Sequence, residues 1–405
     1  MEKLISLLGL FVMIGIAYAF SESKKSIQWR TVISGILLQI VFGLFILKTD
    51  FGRSLFDSIG RGFNSILGFT AEGAKFLFGN LATPSESMGF IFATMVLPTI
   101  IFMSALMSVL YHLGIMQKVV EVVARVMMKV MRTSGAESLA AAANIFVGQT
   151  EAPLVIKPYV KSMTKSELMC LMTGGMATVA GGVLAAYVGF GIDAGHLLAA
   201  SVMSAPAALV CAKLLVPERE ISETAGVVKI DLPKLADNVI DAAATGASDG
   251  LKLAVNVAAM LLAFIALIAM LNGILSGIGG LFGFPQLTFE LIMGYLNAPV
   301  AWLLGVPWED CFRVGAILGK KIVLNEFVGY LDLVSAKGQI SERSTIITTY
   351  ALCGFSNFSS IAIQLGGIGT MAPEKRPILA KYGMYALLGG TLACYMTACI
   401  AGLFI

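Results

Sequence analysis

Charge is scarce: Asp, Glu, Lys and Arg make up 13% of the chain, about half the share of an ordinary soluble domain. Histidine is scarcer, with only His112 and His196, so a histidine-rich metal centre is excluded and little is left for acid–base work near neutral pH. No Ser/His/Asp or HExxH arrangement is present, which weighs against an intramembrane enzyme. The six cysteines show no CxxC spacing and lie in or beside apolar stretches, where free cysteine behaves as a small hydrophobe. Net charge is +3, and no basic stripe with interleaved aromatics offers a surface for nucleic acid. Gly315–Lys321 superficially matches a phosphate loop, but its spacing is wrong. No cofactor is expected.

Apolar sequence is what the chain has in abundance: 57% of residues are hydrophobic and the mean hydropathy is +0.86. Long apolar runs cover 4–20, 31–48, 90–112, 166–187, 194–214, 251–273, 346–371 and 383–405. Each is near or above the roughly 20 residues a helix needs to cross the hydrocarbon core. The first lacks a small-residue cleavage site and reads as a retained span. The expected fold is an all-α integral membrane protein with eight transmembrane helices.

Basic residues set the topology. Lys24, Lys25 and Arg30 follow the first span, and Lys157, Lys161 and Lys165 precede the fourth. Lys213, Arg219, Lys229 and Lys234 follow the fifth, and Lys375, Arg376 and Lys381 precede the last, whereas 188–199 and 272–312 carry neither Lys nor Arg. The positive-inside rule puts the first set in the cytoplasm and both termini outside. Lys48, Arg53 and Arg61 run against this and are outvoted. With spans three and four both facing inside at their junction, 133–163 must cross twice or not at all. It is too short and polar for two crossings, so a re-entrant helical hairpin is expected. The same parity argument places a second, oppositely oriented hairpin at 309–332. Each hairpin carries an acid and precedes a span rich in breakers: Gly174, Gly175, Gly181 and Gly182 in one, Gly354, Asn357, Gly366 and Gly367 in the other. Paired interrupted segments in inverted halves point to a transporter's midplane site. The expected organisation is scaffold helices at 1–112, then an interfacial helix, first hairpin and first half of the transport core at 113–214. A cytoplasmic loop, long scaffold helix and external segment follow at 215–308, and the second hairpin and half-core at 309–405.

Three polar groups interrupt the apolar background. Gln149, Thr150 and Glu151 sit between Gly148 and Pro153. A central carboxylate costs about 2.5–3.5 kcal/mol on insertion scales and therefore needs a partner or a use. An amide, a hydroxyl and a carboxylate together suit the edge of a neutral heterocycle, although a solvated loop would also tolerate them. Asn325 and Glu326 lie inside the second hairpin. Asn357, Ser359 and Ser360 lie inside the seventh run, with Asn357 and Ser360 on one face if that stretch is helical. Sugar hydroxyls match such groups, while interhelical hydrogen bonding is the plainer reading for Ser359. Phe355 is placed to pack on a flat ring.

The motifs Gly148–Pro153 (GQTEAP), Asn325–Phe327 (NEF) and Gly354–Ile363 (GFSNFSSIAI) resemble, in order, spacing and flanks, the concentrative nucleoside transporter family over essentially the whole chain. The match is to the short eight-span bacterial form. The resemblance implies that Gln149, Thr150 and Glu151 face the nucleobase, with Phe355 and Leu253 packing on it and Val183 nearby. It implies that Glu326, Asn357 and Ser360 hold the ribose. It also implies a sodium site from the Asn144 side chain, the Val147 carbonyl, the hydroxyl and carbonyl of Thr178 and the Val179 carbonyl. The proton-coupled branch reads GQSE where this chain reads GQTE, so Na⁺ is the expected coupling ion and H⁺ the alternative. At 178, Thr stands where Ser is more usual. Expected partners are nucleosides such as uridine, cytidine and adenosine, the inner (cytoplasmic) membrane and two further copies of the chain as a homotrimer. A passive channel is the rival reading within transport.

Overall fold

The computed structural model describes residues 1–83, 91–226 and 236–405, and it is helical nearly throughout. Lys229 and Lys234, used above for topology, and Phe90, the first residue of the third apolar run, lie outside the described residues. The N-terminal part comprises α1 (Glu2–Ala19), α2 (Trp29–Lys48), α3 (Asp50–Phe78), α4 (Phe92–Met95), α5 (Leu97–His112) and α6 (Ile115–Met131). Next come α7 (Gly135–Ala143), the short turns α8 (Ala152–Val155) and α9 (Lys157–Val160), α10 (Lys165–Ala177), α11 (Gly181–Gly189) and α12 (Ala194–Leu215). The C-terminal part is α13 (Val239–Leu281), α14 (Phe289–Leu303), α15 (Trp308–Val323), α16 (Glu326–Ala336), α17 (Glu342–Leu352), α18 (Phe358–Met371) and α19 (Arg376–Phe404).

Among the described residues, seven helical segments are long and apolar enough to span a membrane, and they coincide with seven of the eight expected runs. The eighth, 346–371, is two helices, α17 and α18, separated by Cys353–Asn357. The break falls where Gly354 and Asn357 announced it. The other expected breakers behave differently. Gly174 and Gly175 sit within α10, and Gly366 and Gly367 within α18; the first break lies at Thr178–Ala180, and Gly181 opens α11. Glycine at these interior positions serves close approach: a Cβ on Gly174 would lie 3.0 Å from Asn144 Nδ2, and one on Gly175 2.7 Å from Gln149 Cβ.

Two helices were not foreseen. α3 occupies 29 residues where basic residues suggested a loop, and α14 fills part of the expected external segment. α3 has no long apolar run to betray it. α14 doubles back on α15 at a 117° bend. α13 is also longer than its apolar run: 43 residues give roughly 64 Å, about twice the hydrocarbon thickness.

The core sits where α10, α12 and α19 pack together, with α1 and α2 against α19 and α12. α13 stands apart, paired along α5. Gly246 and Gly250 permit that pairing, since a Cβ on either would come within 2.8 Å of Ser104, Ala105 or Ile101 atoms of α5. This is the small-xxx-small spacing by which membrane helices meet closely.

The base of the first helix–break–helix unit, α7 to α9 about the tip at 144–151, is anchored by two capping boxes. Ser134 and Glu137 close the N-terminus of α7, and Thr164 and Glu167 that of α10. Ser134 Oγ donates to Glu167 at 2.5 Å, and Lys213 Nζ, on α12, pairs with Glu137 at 2.7 Å and Glu218 at 3.3 Å. The Lys213 and Glu137 side chains are only 8% and 2% exposed, so removing one partner leaves a buried charge uncompensated. Lys213→Met is expected to cost about 3–5 kcal/mol. It should lower the unfolding midpoint in detergent, and Lys213→Met with Glu137→Gln should recover part of the loss. A wild-type midpoint in the single variant would contradict this anchor.

Candidate functional site

Both broken helices bring their breaks to one place. The Phe355 amide donates to the Thr178 carbonyl at 3.2 Å, joining the α17–α18 break to the α10–α11 break. Gly354 makes this crossing possible: a Cβ there would stand 2.8 Å from the Met176 carbonyl oxygen. The tip of the first unit, residues 144–151, lies along the same α10–α11 segment, where the Gly181 amide donates to the Phe146 carbonyl at 3.1 Å.

The second unit, α15 and α16 about the break at 324–325, contributes through its cap. Asn325 caps α16, its Oδ1 accepting from the Val328 amide at 3.0 Å, which makes Glu326 the first residue of the helix. The Glu326 carboxylate is therefore held at the positive end of the helix dipole, where a negative charge is favoured. It is 3% exposed. Its Oε1 accepts from the Tyr187 hydroxyl at 2.9 Å and its Oε2 from Asn357 Nδ2 at 3.1 Å. Asn357 in turn caps α18, accepting from the Ser360 amide at 3.0 Å. The i, i+3 relation of Asn357 and Ser360 is thus a cap, since Asn357 is extended rather than helical.

From Ser360 the network continues to the first unit. Gln149 Nε2 donates to Ser360 Oγ at 3.0 Å, and Gln364 Nε2 donates both to Gln149 Oε1 at 3.1 Å and to the Met172 carbonyl at 2.9 Å. One unbroken chain runs Gln364–Gln149–Ser360–Asn357–Glu326–Tyr187. Ser360 accepts from Gln149, and among the described residues its own proton has no acceptor.

The remaining expected site residues lie outside this hydrogen-bonded chain among the described residues. Thr150 and Glu151 are exposed at the tip, and Thr150 lies beside Gly367 of α18. Glu151 is within electrostatic reach of Tyr111 on α5 and Asp249 on α13. Leu253 is one helical turn past Asp249 and so shares its face, while Val183 is buried in α11 and Phe355 is half-buried at the break. Tyr187 and Gln364 belong to the network and were missed. Gln364 had a signal, a lone amide four residues beyond Ser360 inside an apolar run; Tyr187 had none.

Asn144 ends α7 and is 1% exposed, yet among the described residues neither Nδ2 nor Oδ1 finds a hydrogen-bond partner. A buried amide so left costs about 1–3 kcal/mol, so its place needs a reason. It lies against Gly174, whose carbonyl accepts from Thr178 Oγ1 at 2.9 Å, leaving the hydroxyl lone pairs available. Val147 and Val179 are buried close by in sequence, at the same tip and break. A neutral amide oxygen, a hydroxyl and backbone carbonyls are the donor set of a hard monovalent cation.

Models of the Na⁺-dependent nucleoside transporter N-terminus and C-terminus match residues 8–81 and 196–402, and a nucleoside-recognition "Gate" model matches 93–194. An uncharacterized transporter, YutK, of Bacillus subtilis (strain 168) is 50% identical over the full length of both chains. The nucleoside permease NupC of Helicobacter pylori is 44% identical over all of this chain and 98% of its own. Human solute carrier family 28 member 3 is 42% identical over 99% of this chain and 60% of its own length. Among solved structures, CNTnw in an inward-facing, substrate-bound state superposes with a TM-score of 0.95 at 46% identity, covering 100% of this chain and 98% of that one. A doubly substituted CNTnw in an outward-facing state gives 0.94 at 45% identity, covering 100% and 98%. The family models, the identity along whole chains and the shared fold lead to one conclusion: this chain is a multi-pass membrane transporter, not an enzyme, and belongs to the concentrative, Na⁺-dependent nucleoside transporter family.

Proposed function

We propose that the protein is a secondary symporter that imports nucleosides such as uridine, cytidine and adenosine across the inner membrane, driven by inward Na⁺ movement. The reading is carried by the Gln364–Tyr187 polar chain, which joins amides, hydroxyls and one carboxylate from the 144–151 tip, α11, α16 and the start of α18. Glu326, Asn357 and Ser360 hold the ribose hydroxyls. Gln149, Thr150 and Glu151 read the base, which packs on Phe355 and Leu253 with Val183 nearby. Na⁺ sits with Asn144, Val147, Thr178 and Val179, and the unpaired Asn144 amide supports this placement.

The two helix–break–helix units enter the membrane from opposite faces as re-entrant hairpins, and both termini lie outside. Residues 113–214 and 309–405 form the moving core against scaffold parts at 1–112 and 215–308, and three copies assemble as a homotrimer. A nucleoside is neutral, so the membrane potential drives its entry only if a charge travels with it. One cation gains about 2.3 kcal/mol per 100 mV.

Counterflow in proteoliposomes tests substrate class. Vesicles preloaded with unlabelled uridine should transiently accumulate labelled uridine, and adenosine and cytidine should compete while free uracil and ribose compete weakly. Equal competition by uracil would remove the ribose contacts from the reading.

A further inference from the structure

The orientation of the Gln149 amide is dictated from outside the substrate contacts. An amide's nitrogen and oxygen are distinguished by what they meet. The Met172 carbonyl can only accept, so the Gln364 atom 2.9 Å from it must be the nitrogen. That nitrogen uses its second hydrogen on Gln149 at 3.1 Å, so the Gln149 atom there must be the oxygen. Gln149 Nε2 is thereby turned toward Ser360. Gln364 is 1% exposed, and its Oε1 has no partner among the described residues. The side chain keeps its nitrogen on Met172 although this leaves its own oxygen unsatisfied.

We propose that Gln364 is a specificity-determining positioning residue: by locking the Gln149 amide in one orientation, it sets which hydrogen-bonding edge of a nucleobase the site accepts. This rests on the reading of Gln149 as a base contact. Among the described residues the hydrogen bonds of the Gln364 side chain go to Gln149 and the α10 backbone, and it acts through them.

Uridine and cytidine isolate the effect, because they share ribose and ring shape. They differ in polarity at N3 and C4: uridine presents N–H and C=O, cytidine a ring nitrogen and an amino group. Gln364→Met removes the lock and lets Gln149 take either orientation. Gln364→Glu, protonated in its buried setting, has a single O–H to place on Met172. Toward Gln149 that oxygen only accepts, so the Gln149 amide turns over.

The test is the ratio of uridine to cytidine half-saturation in counterflow, for wild type and both variants, with the Na⁺ half-saturation measured alongside. The ratio should move toward one in Gln364→Met and invert in Gln364→Glu. The change in Gln364→Glu should be roughly tenfold or more, the scale of one buried hydrogen bond, and Na⁺ dependence should stay as in wild type. In a Gln149→Ala background neither change should alter the ratio further. If Gln364→Met is not recovered folded, Gln364→Glu, which keeps the volume and one bond, decides alone. An unchanged ratio, one common loss for both nucleosides, or failure of both variants to fold would overturn the proposal and make Gln364 a packing residue. Absence of nucleoside counterflow in wild type would instead remove the nucleoside reading itself.

Discussion

Glu326→Gln should reduce uridine uptake by roughly ten- to a hundredfold, the range for losing a charged acceptor worth about 1.5–3 kcal/mol, while the protein still folds. The local geometry explains why these two outcomes separate. Asn357 Nδ2 can only donate, because Asn357 Oδ1 is held by the Ser360 amide. Glutamine at 326 would therefore turn its oxygen to Asn357 and its nitrogen to Tyr187, whose hydroxyl can reverse and accept. The network would survive with every member paired. What disappears is the negative charge at the N-terminus of α16 and its spare lone pairs, which are what ribose hydroxyls would use. Uptake should fall through a raised half-saturation for uridine, and 2′- and 3′-deoxynucleosides should lose less than uridine. Wild-type transport by this variant would remove Glu326 from the site.

Asn144→Ala should behave in an unusual way for a buried polar deletion. Both amide atoms of Asn144 are buried without partners, so deleting them in Na⁺-free protein should leave stability unchanged or slightly higher. Wild type should be stabilised as Na⁺ is added, because a ligand that binds only the folded state raises its stability by mass action. The variant should lose that response. Its Na⁺ half-saturation for uridine uptake should rise roughly tenfold, the scale of one lost polar ligand, and uridine affinity should recover at high Na⁺. Coupling is reciprocal, so uridine should tighten Na⁺ binding by the same factor by which Na⁺ tightens uridine. A variant destabilised without Na⁺, with an unaltered Na⁺ response, would make Asn144 a structural residue.

Much of this was legible in the sequence because membrane insertion writes itself in long apolar runs. Seven segments emerged from run length alone, and the two stretches that parity of the basic loops set apart, 133–163 and 309–332, hold the short helices α7–α9 and the α15–α16 break. The seventh run carried its own break in Gly354 and Asn357. What stayed hidden had weaker signatures. α3 mixes charge with apolar residues along its length, as in Arg53, Asp57 and Arg61, and so hid among loop signals. The glycines of α10 read as breakers, but their role is contact with Asn144 and Gln149, which depends on the hairpin tip lying against them. Direction within the polar chain was not legible at all. Which end of Gln149 faces Ser360 follows from the Met172 carbonyl, far away in sequence, through Gln364.

Symport requires that nucleoside and Na⁺ move together. Labelled uridine uptake into proteoliposomes of the purified protein, under an inward Na⁺ gradient with the pH clamped, tests it most directly. A parallel set carries an inward H⁺ gradient in Na⁺-free buffer. The expected result is accumulation above equilibrium with Na⁺, enhanced by an inside-negative potential, and none with H⁺ alone. Accumulation driven equally well by the pH gradient without Na⁺ would contradict sodium coupling, and uptake that only equilibrates under both gradients would contradict symport.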